Sequence, residues 1–142
     1  PAVDRQQILH WYIFNYLIGN SDAHAKNLSF ILSANSIRLA PFYDLLCVHA
    51  YLPNSQMAMY IDDEARSGWF SEEIWQKLAE MANVPYRLLK SLLQKQVLEI
   101  RKKIPEICLL KCFTQDELSF VNVKIIPIIE QRIEFIVDVL KK

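Results

Sequence analysis

Glycine is nearly missing from this chain: Gly19 and Gly68 are the only two in 142 residues. So little backbone freedom at positive φ excludes a fold made mostly of tight hairpins. It also leaves no glycine-rich loop to cradle phosphates. Cysteine is sparse and odd in number, with Cys47, Cys108 and Cys112, which excludes a disulfide framework and fits a reducing, cytoplasmic setting. Cys108 and Cys112 lie four apart with no third or fourth ligand beside them, so both are expected to be small buried apolar residues, not metal ligands. An excess of one charge is absent too: 16 basic and 16 acidic residues leave a formal net charge of zero. No global field draws nucleic acid or an anionic membrane to the chain, and no direct nucleic-acid binding is expected. No apolar run approaches the ~18 residues of a membrane span, and no signal peptide is visible. There is no initiator Met, internal repeat, low-complexity tract or linker. Residues 1–142 therefore read as one domain, and as a fragment of a longer protein.

What is present is apolar content, 52% of the residues, enough for a sizeable core. Residues 4 to 18 read as a helix whose second half is apolar on nearly every side, which places it in the middle of a domain. Gly19 and Asn20 end it. After a polar loop to Asn27, Leu28, Phe30 and Leu32 alternate with Ser29, Ile31 and Ser33 into a turn at Ala34-Asn35-Ser36. A short return strand from Ile37 to Ala40 predicts a hairpin, stopped by Pro41. Met57, Met59 and Ile61 alternate as an extended segment would. Ser71 is a plausible N-cap for a helix with an apolar stripe of Ile74, Trp75, Leu78 and Met81. Pro85 opens another through about Lys103, with Leu89, Leu92, Leu93, Val97 and Ile100 on one face. Thr114 and Glu117 form a capping box for the last helical region, which Pro127 should break or kink. Beyond it Ile129, Ile133, Ile136, Val137 and Leu140 continue the stripe. The fold class is mainly α with a small β-hairpin.

The chemistry is concentrated in Gly19-Asn20-Ser21-Asp22-Ala23-His24-Ala25-Lys26-Asn27 and in Pro41-Phe42-Tyr43-Asp44. The hairpin between them folds the chain back, so Asp44 can lie beside Asn27. Two carboxylates and an amide then converge at one loop mouth. Phosphoryl transfer needs such a set: one carboxylate to orient and deprotonate a hydroxyl, and hard oxygen ligands for Mg²⁺ on the nucleotide phosphates. Protein kinases space the base and the metal-binding Asn with four residues between them, and a second metal-binding Asp follows a short hairpin. Asp22 and Asn27 have that spacing, and Asp44 follows seventeen residues later.

The run from Phe14 to Asn27, followed by Arg38-Leu39-Ala40-Pro41-Phe42-Tyr43-Asp44, resembles the catalytic core of HipA-family kinases, the toxins of bacterial HipA–HipB modules and their relatives. The resemblance continues more weakly through Met57-Ala58-Met59-Tyr60-Ile61 and Trp75-Gln76-Lys77-Leu78-Ala79, covering roughly residues 8 to 85. It implies the larger, C-terminal lobe of a protein-kinase-like fold of HipA type. It further implies ATP and Mg²⁺ as cofactors, Asp22 as catalytic base, and Asn27 and Asp44 as metal ligands. His24 and Lys26 would lie near the transferred phosphoryl group, with Lys26 and Tyr43 at the nucleotide. A HipB-like DNA-binding antitoxin is the implied partner and an aminoacyl-tRNA synthetase the implied protein substrate. Two features depart from ordinary protein kinases. No His-Arg pair precedes Asp22, and Leu45-Leu46 follows Asp44 where ordinary kinases have Phe-Gly. The Asp-x-His spacing is instead similar to that of phosphatidylinositol-class lipid kinases.

Each residue also has a plainer reading. Asp22 and Asp44 could be cap or turn residues, although their joint spacing with Asn27 favours function. His24 either contacts phosphate or hydrogen-bonds the loop backbone, and Lys26 is either functional or a solvated charge. His10 and His49 read as structural, and Trp11, Trp69 and Trp75 as core. A kinase also needs a second lobe carrying a phosphate-covering loop and a phosphate-pairing lysine. Neither precedes Asp22, so the fragment alone is expected to be inactive. A non-catalytic kinase-like interaction module is the alternative. A metal-dependent phosphohydrolase using Asp22, His24 and Asp44 is a third reading.

Overall fold

The computed structural model describes residues 2–66, 68 and 70–141. Helix α1, Ala2–Ile18, runs through the middle, as its all-round apolarity requires. Leu9, Trp11, Tyr12, Ile13, Tyr16 and Leu17 are all buried. Against it pack α3, Tyr86–Cys108, and α5, Ile126–Leu140, which also contact each other, while α2, Glu72–Met81, packs on α3. Tyr16 stacks on Phe70 with centroids 5.1 Å apart and meets the Trp75 edge at 5.1 Å. This aromatic trio joins α1 to α2, and such pairings add to plain area burial. The stripes of α3 and α5 behave as expected: Leu89, Leu92, Leu93 and Val97, and Ile129, Ile133 and Ile136, are buried. Among the described residues no helix is long and apolar enough to cross a membrane.

Beside these helices lies one antiparallel hairpin, β1 (Phe30–Ser33) with β2 (Ser36–Leu39), in the register Phe30↔Leu39 to Ser33↔Ser36. The turn is thus Ala34-Asn35, and Ser36 is already paired. Its alternation does not mark a buried face. Phe30, Ile31, Leu32 and Ile37 are all exposed, and the hairpin meets α1 through the Arg38–Asp4 ion pair at 3.2 Å.

Several local expectations need correction. Ser71 occupies the N-cap of α2, but its hydroxyl makes no capping bond, and Met81 is 64% exposed because the helix ends before that position reaches α3. Helix α3 runs past Lys103 to Cys108, carrying Pro105 inside it. Pro127 falls where the last helical region departs from regular α geometry: the short α4, Gln115–Phe120, runs into a π-helical stretch, Val121–Ile125, and Pro127 then stands in the first turn of α5, so the interruption lies just before the proline. The Thr114–Glu117 capping box that opens α4 forms as expected. Met57 and Ile61 point inward, although the segment is irregular and not a strand: Met57 N donates to Ala65 O at 2.8 Å, and Ile61 bridges to Glu64. Cys108 is only half-buried and Cys112 is exposed, against the expectation for both, because the chain emerges from α3 there; all three cysteines are unpaired. Trp11 and Trp75 are core residues, while Trp69 lies outside the described residues.

Candidate active site

The site begins where α1 stops. Gly19 adopts φ +72°, and a Cβ there would stand 2.8 Å from Ile128 Cγ2, so both conformation and space demand glycine. Gly19 N donates to Tyr16 O and Asn20 N to Asn15 O, at 3.2 and 2.9 Å. This paired closure of a helix C-terminus turns the chain back over the last turn of α1. Asn20, Ser21 and Ala23 are buried, at 3% exposure each, and the intervening Asp22 is exposed. The turn is held from its far side by Ala58 N donating to Ser21 O at 2.8 Å and by the 2.6 Å contact between the Ser21 and Ser55 hydroxyls. Asp22 is therefore presented outward from an anchored turn.

Asn27 follows at the end of a short 3₁₀ turn, Ala25–Asn27, and is buried. Its Oδ1 accepts from the His24 backbone N–H at 3.0 Å, and its Nδ2 donates to Asp44 Oδ2 at 2.8 Å. The hairpin thus returns Asp44 to Asn27, as the sequence pattern predicts. Asp44 itself stands at φ +58°, left-handed backbone that Asp and Asn tolerate better than most residues. Next to it, the Tyr43 hydroxyl donates to Lys26 O at 2.9 Å and contacts the Ser29 hydroxyl at 3.1 Å, tying the two loops together. Behind them Phe42 packs against Trp11 of α1, with ring centroids 6.2 Å apart.

Asn27 and Asp44 are thus joined directly, Tyr43 bridges to the Lys26 backbone, and the exposed Asp22 lies five residues before Asn27 on the same loop. Lys26 is exposed, and no hydrogen bond ties its ammonium to the site. His24 is half-buried, and its Nδ1 is a buried nitrogen with no hydrogen-bond partner in the structure. Its backbone N–H, not its ring, makes the bond that shapes the loop.

Two residues of this site escaped the sequence reading. Asn15 lies inside α1 at 1% exposure, where its Nδ2 donates to Trp11 O at 2.8 Å. Asn20, read only as a helix end, donates from Nδ2 to Asn15 Oδ1 at 2.7 Å and to Asp44 O at 3.0 Å. One signal was available: an Asn amid an otherwise apolar helix must find partners or cost stability.

The donor set suits Mg²⁺. Asn27 meets the Asp44 carboxylate through its amide nitrogen, while its Oδ1 accepts from the His24 N–H; that Oδ1 and the Asp44 carboxylate oxygens each keep lone pairs beyond the bonds described. Mg²⁺ is commonly held by one or two such groups, with waters and phosphates completing its shell. Among the described residues no group of three or more His, Cys, Asp or Glu gathers to hold a metal.

A family model described as the HipA-like C-terminal domain matches residues 1–106. The serine/threonine-protein kinase toxin HipA of Shewanella oneidensis is 36% identical over 123 residues, 85% of this chain and 28% of that protein. Toxin YjjJ of Escherichia coli is 31% identical over 110 residues, 66% of this chain and 24% of that one. Among solved structures, the Shewanella oneidensis toxin–antitoxin complex of HipA, HipB and operator DNA contains a chain that superposes with a TM-score of 0.82 at 32% identity. That match covers 96% of this chain and 33% of the other. The chain thus spans about a third or less of the length of these relatives.

Proposed function

We propose, on the premise that this chain belongs to the HipA-like C-terminal domain family, that residues 1–142 are the catalytic lobe of an ATP- and Mg²⁺-dependent serine/threonine protein kinase. Its other lobe lies outside these residues. The observation that carries this reading is the 2.8 Å bond between Asn27 Nδ2 and Asp44 Oδ2, beside an outward-facing Asp22 on an anchored turn.

In this reading Asp22 accepts the proton of a substrate serine or threonine hydroxyl. The hydroxyl oxygen bonds to the γ-phosphorus of ATP as the bond to the β,γ-bridging oxygen breaks, and ADP leaves. Asn27 and Asp44 would hold Mg²⁺, which supplies charge neutralisation at the phosphates. Lys26 reaches the transferred group from the exposed side of the same loop and offsets its charge. Tyr43 holds the Lys26 backbone and lines the nucleotide side. His24 orders the loop through its backbone N–H. The partner we assign to the full-length protein is a HipB-like DNA-binding antitoxin, supported by the complex in which the similar Shewanella chain was solved. The assigned substrate class, an aminoacyl-tRNA synthetase, rests on the family resemblance alone. A cytoplasmic setting accords with three unpaired cysteines.

The test is transfer of radiolabelled phosphate from ATP by the full-length protein. Asp22→Asn should lower it by roughly 10²–10⁴-fold, the usual scale for removing a general base, and Asp44→Asn should abolish it. An Asp22→Asn protein that keeps more than about a tenth of wild-type turnover would remove Asp22 from the role of base.

A further inference from the structure

We propose that Asn20, oriented by Asn15, is a positioning residue: a buried amide relay from α1 that sets the Asp44 peptide and so fixes where the Asp44 carboxylate stands. The inference rests on the metal-holding role assigned to Asp44 above.

The relay is directional. Asn15 Nδ2 donates to Trp11 O at 2.8 Å, which turns Oδ1 toward the end of the helix. Asn20 Nδ2 then donates one hydrogen to that oxygen at 2.7 Å and its other to Asp44 O at 3.0 Å. Only a group with two donor hydrogens can bridge two carbonyl-type oxygens in this way. A carboxylate at position 20 would oppose both oxygens, and an aliphatic side chain would leave both without this partner. Packing alone does not call for amides here. Asn15 and Asn20 are 1% and 3% exposed in an apolar setting where leucine would fill space without polar atoms to satisfy.

The recipient explains the arrangement. Asp44 has φ +58°, a conformation that most residues leave unless their surroundings hold them. The bond from Asn20 to its carbonyl is such a hold. The same residue's Oδ2 faces Asn27 at 2.8 Å. Release of the carbonyl would let the backbone rotate and carry the carboxylate away from Asn27. The Trp11–Phe42 contact anchors the incoming strand independently, so loss of the relay should misplace Asp44 without freeing the whole loop.

The experiment uses the 142-residue chain with Mn²⁺ as the probe. It follows paramagnetic broadening of the Asn27 and Asp44 amide signals by NMR, beside a thermal melt of each variant. The wild type should show broadening confined to these signals, and Asp44→Asn should lose it. Asn20→Ala and the near-isosteric Asn20→Asp should each need about ten-fold more Mn²⁺ or beyond, the scale seen when a residue supporting a ligand is removed. Should Asn20→Ala fail to fold, Asn20→Asp carries the comparison. If folded Asn20 variants respond like wild type while Asp44→Asn does not, the relay serves stability alone and the inference is overturned, with the metal role of Asp44 intact. If Asp44→Asn responds like wild type, or the wild type does not respond, the metal reading falls and takes the relay with it.

Discussion

Asp44 and His49 show two ways in which this fold holds a single side chain away from its ordinary state. Asp44 stores its cost in the backbone, about 1–3 kcal/mol for a non-glycine residue at positive φ, and neighbouring amides offset it. His49 stores its cost in protonation. Its backbone N–H donates to Gly19 O at 3.0 Å beneath the turn that carries Asp22, and its ring lies 3.2 Å from Nη2 of Arg132. Arg132 is 4% exposed, lies over the Tyr16 ring at 5.0 Å, and has its Nη1 buried without a hydrogen-bond partner. Burial first, and the adjacent guanidinium second, pull the His49 pKa down to about 4. A neutral ring can accept from Arg132, whereas an imidazolium would face a second buried cation. The sign follows from linkage: below the unfolded value near 6.5 the unfolded chain takes up a proton that the folded chain refuses until about pH 4. Stability contributed by neutral His49 is therefore complete above pH 6.5 and declines as pH falls toward 4. His10, whose pKa is also lowered by burial, acts in the same direction. The melting temperature should drop between pH 7 and pH 5, and His49→Gln should flatten that slope. An unchanged slope in the variant would remove His49 as its source.

At the scale of elements, periodicity told helices from the hairpin, but burial depended on what each element met. Leu93 and Met81 make the contrast. Both lie on apolar stripes, yet Leu93 is fully buried between α3 and its neighbours while Met81 is 64% exposed at the end of α2. Leu93→Ala should cost about 2–5 kcal/mol in urea unfolding, as core truncations do. Met81→Ala should stay within about 0.5 kcal/mol, as exposed substitutions do. Equal losses at the two sites would contradict the packing described. The hairpin teaches the converse. A turn after Ser33 and a stop at Pro41 were readable from local chemistry, since proline ends strand pairing, although Ser36, read as part of the turn, is paired with Ser33. The exposure of Phe30, Leu32 and Ile37 was not readable, because alternation says which residues share a side and nothing about what covers it.

For the whole molecule, the proposed reading has the described residues supply a base and a metal pair but no glycine-rich phosphate cover, since the chain has only two glycines. In the proposed reading those parts belong to the other lobe. This 142-residue chain by itself should accordingly show little or no phosphate transfer from ATP, and robust transfer by it would overturn the two-lobe reading. The chain spans a third or less of the length of these relatives.

The sequence by itself determined the helices, the hairpin, the Thr114 cap and the spacing that returns Asp44 to Asn27. All of these follow from local propensity, capping chemistry and the short reach of a two-stranded turn. The proposed set of Asp22, Asn27 and Asp44 was picked out in the sequence because phosphoryl transfer constrains residue type and spacing together. Only the tertiary structure decided which polar residues hold that trio in place. Asn15 and Asn20 carry no spacing rule, and their meaning appears once the end of α1 folds back and brings Asp44 O within 3.0 Å of Asn20. The same holds for Arg132 and His49, separated by 83 residues along the chain. A hydrogen bond of a few ångströms depends on how elements pack, and no local pattern encodes that distance.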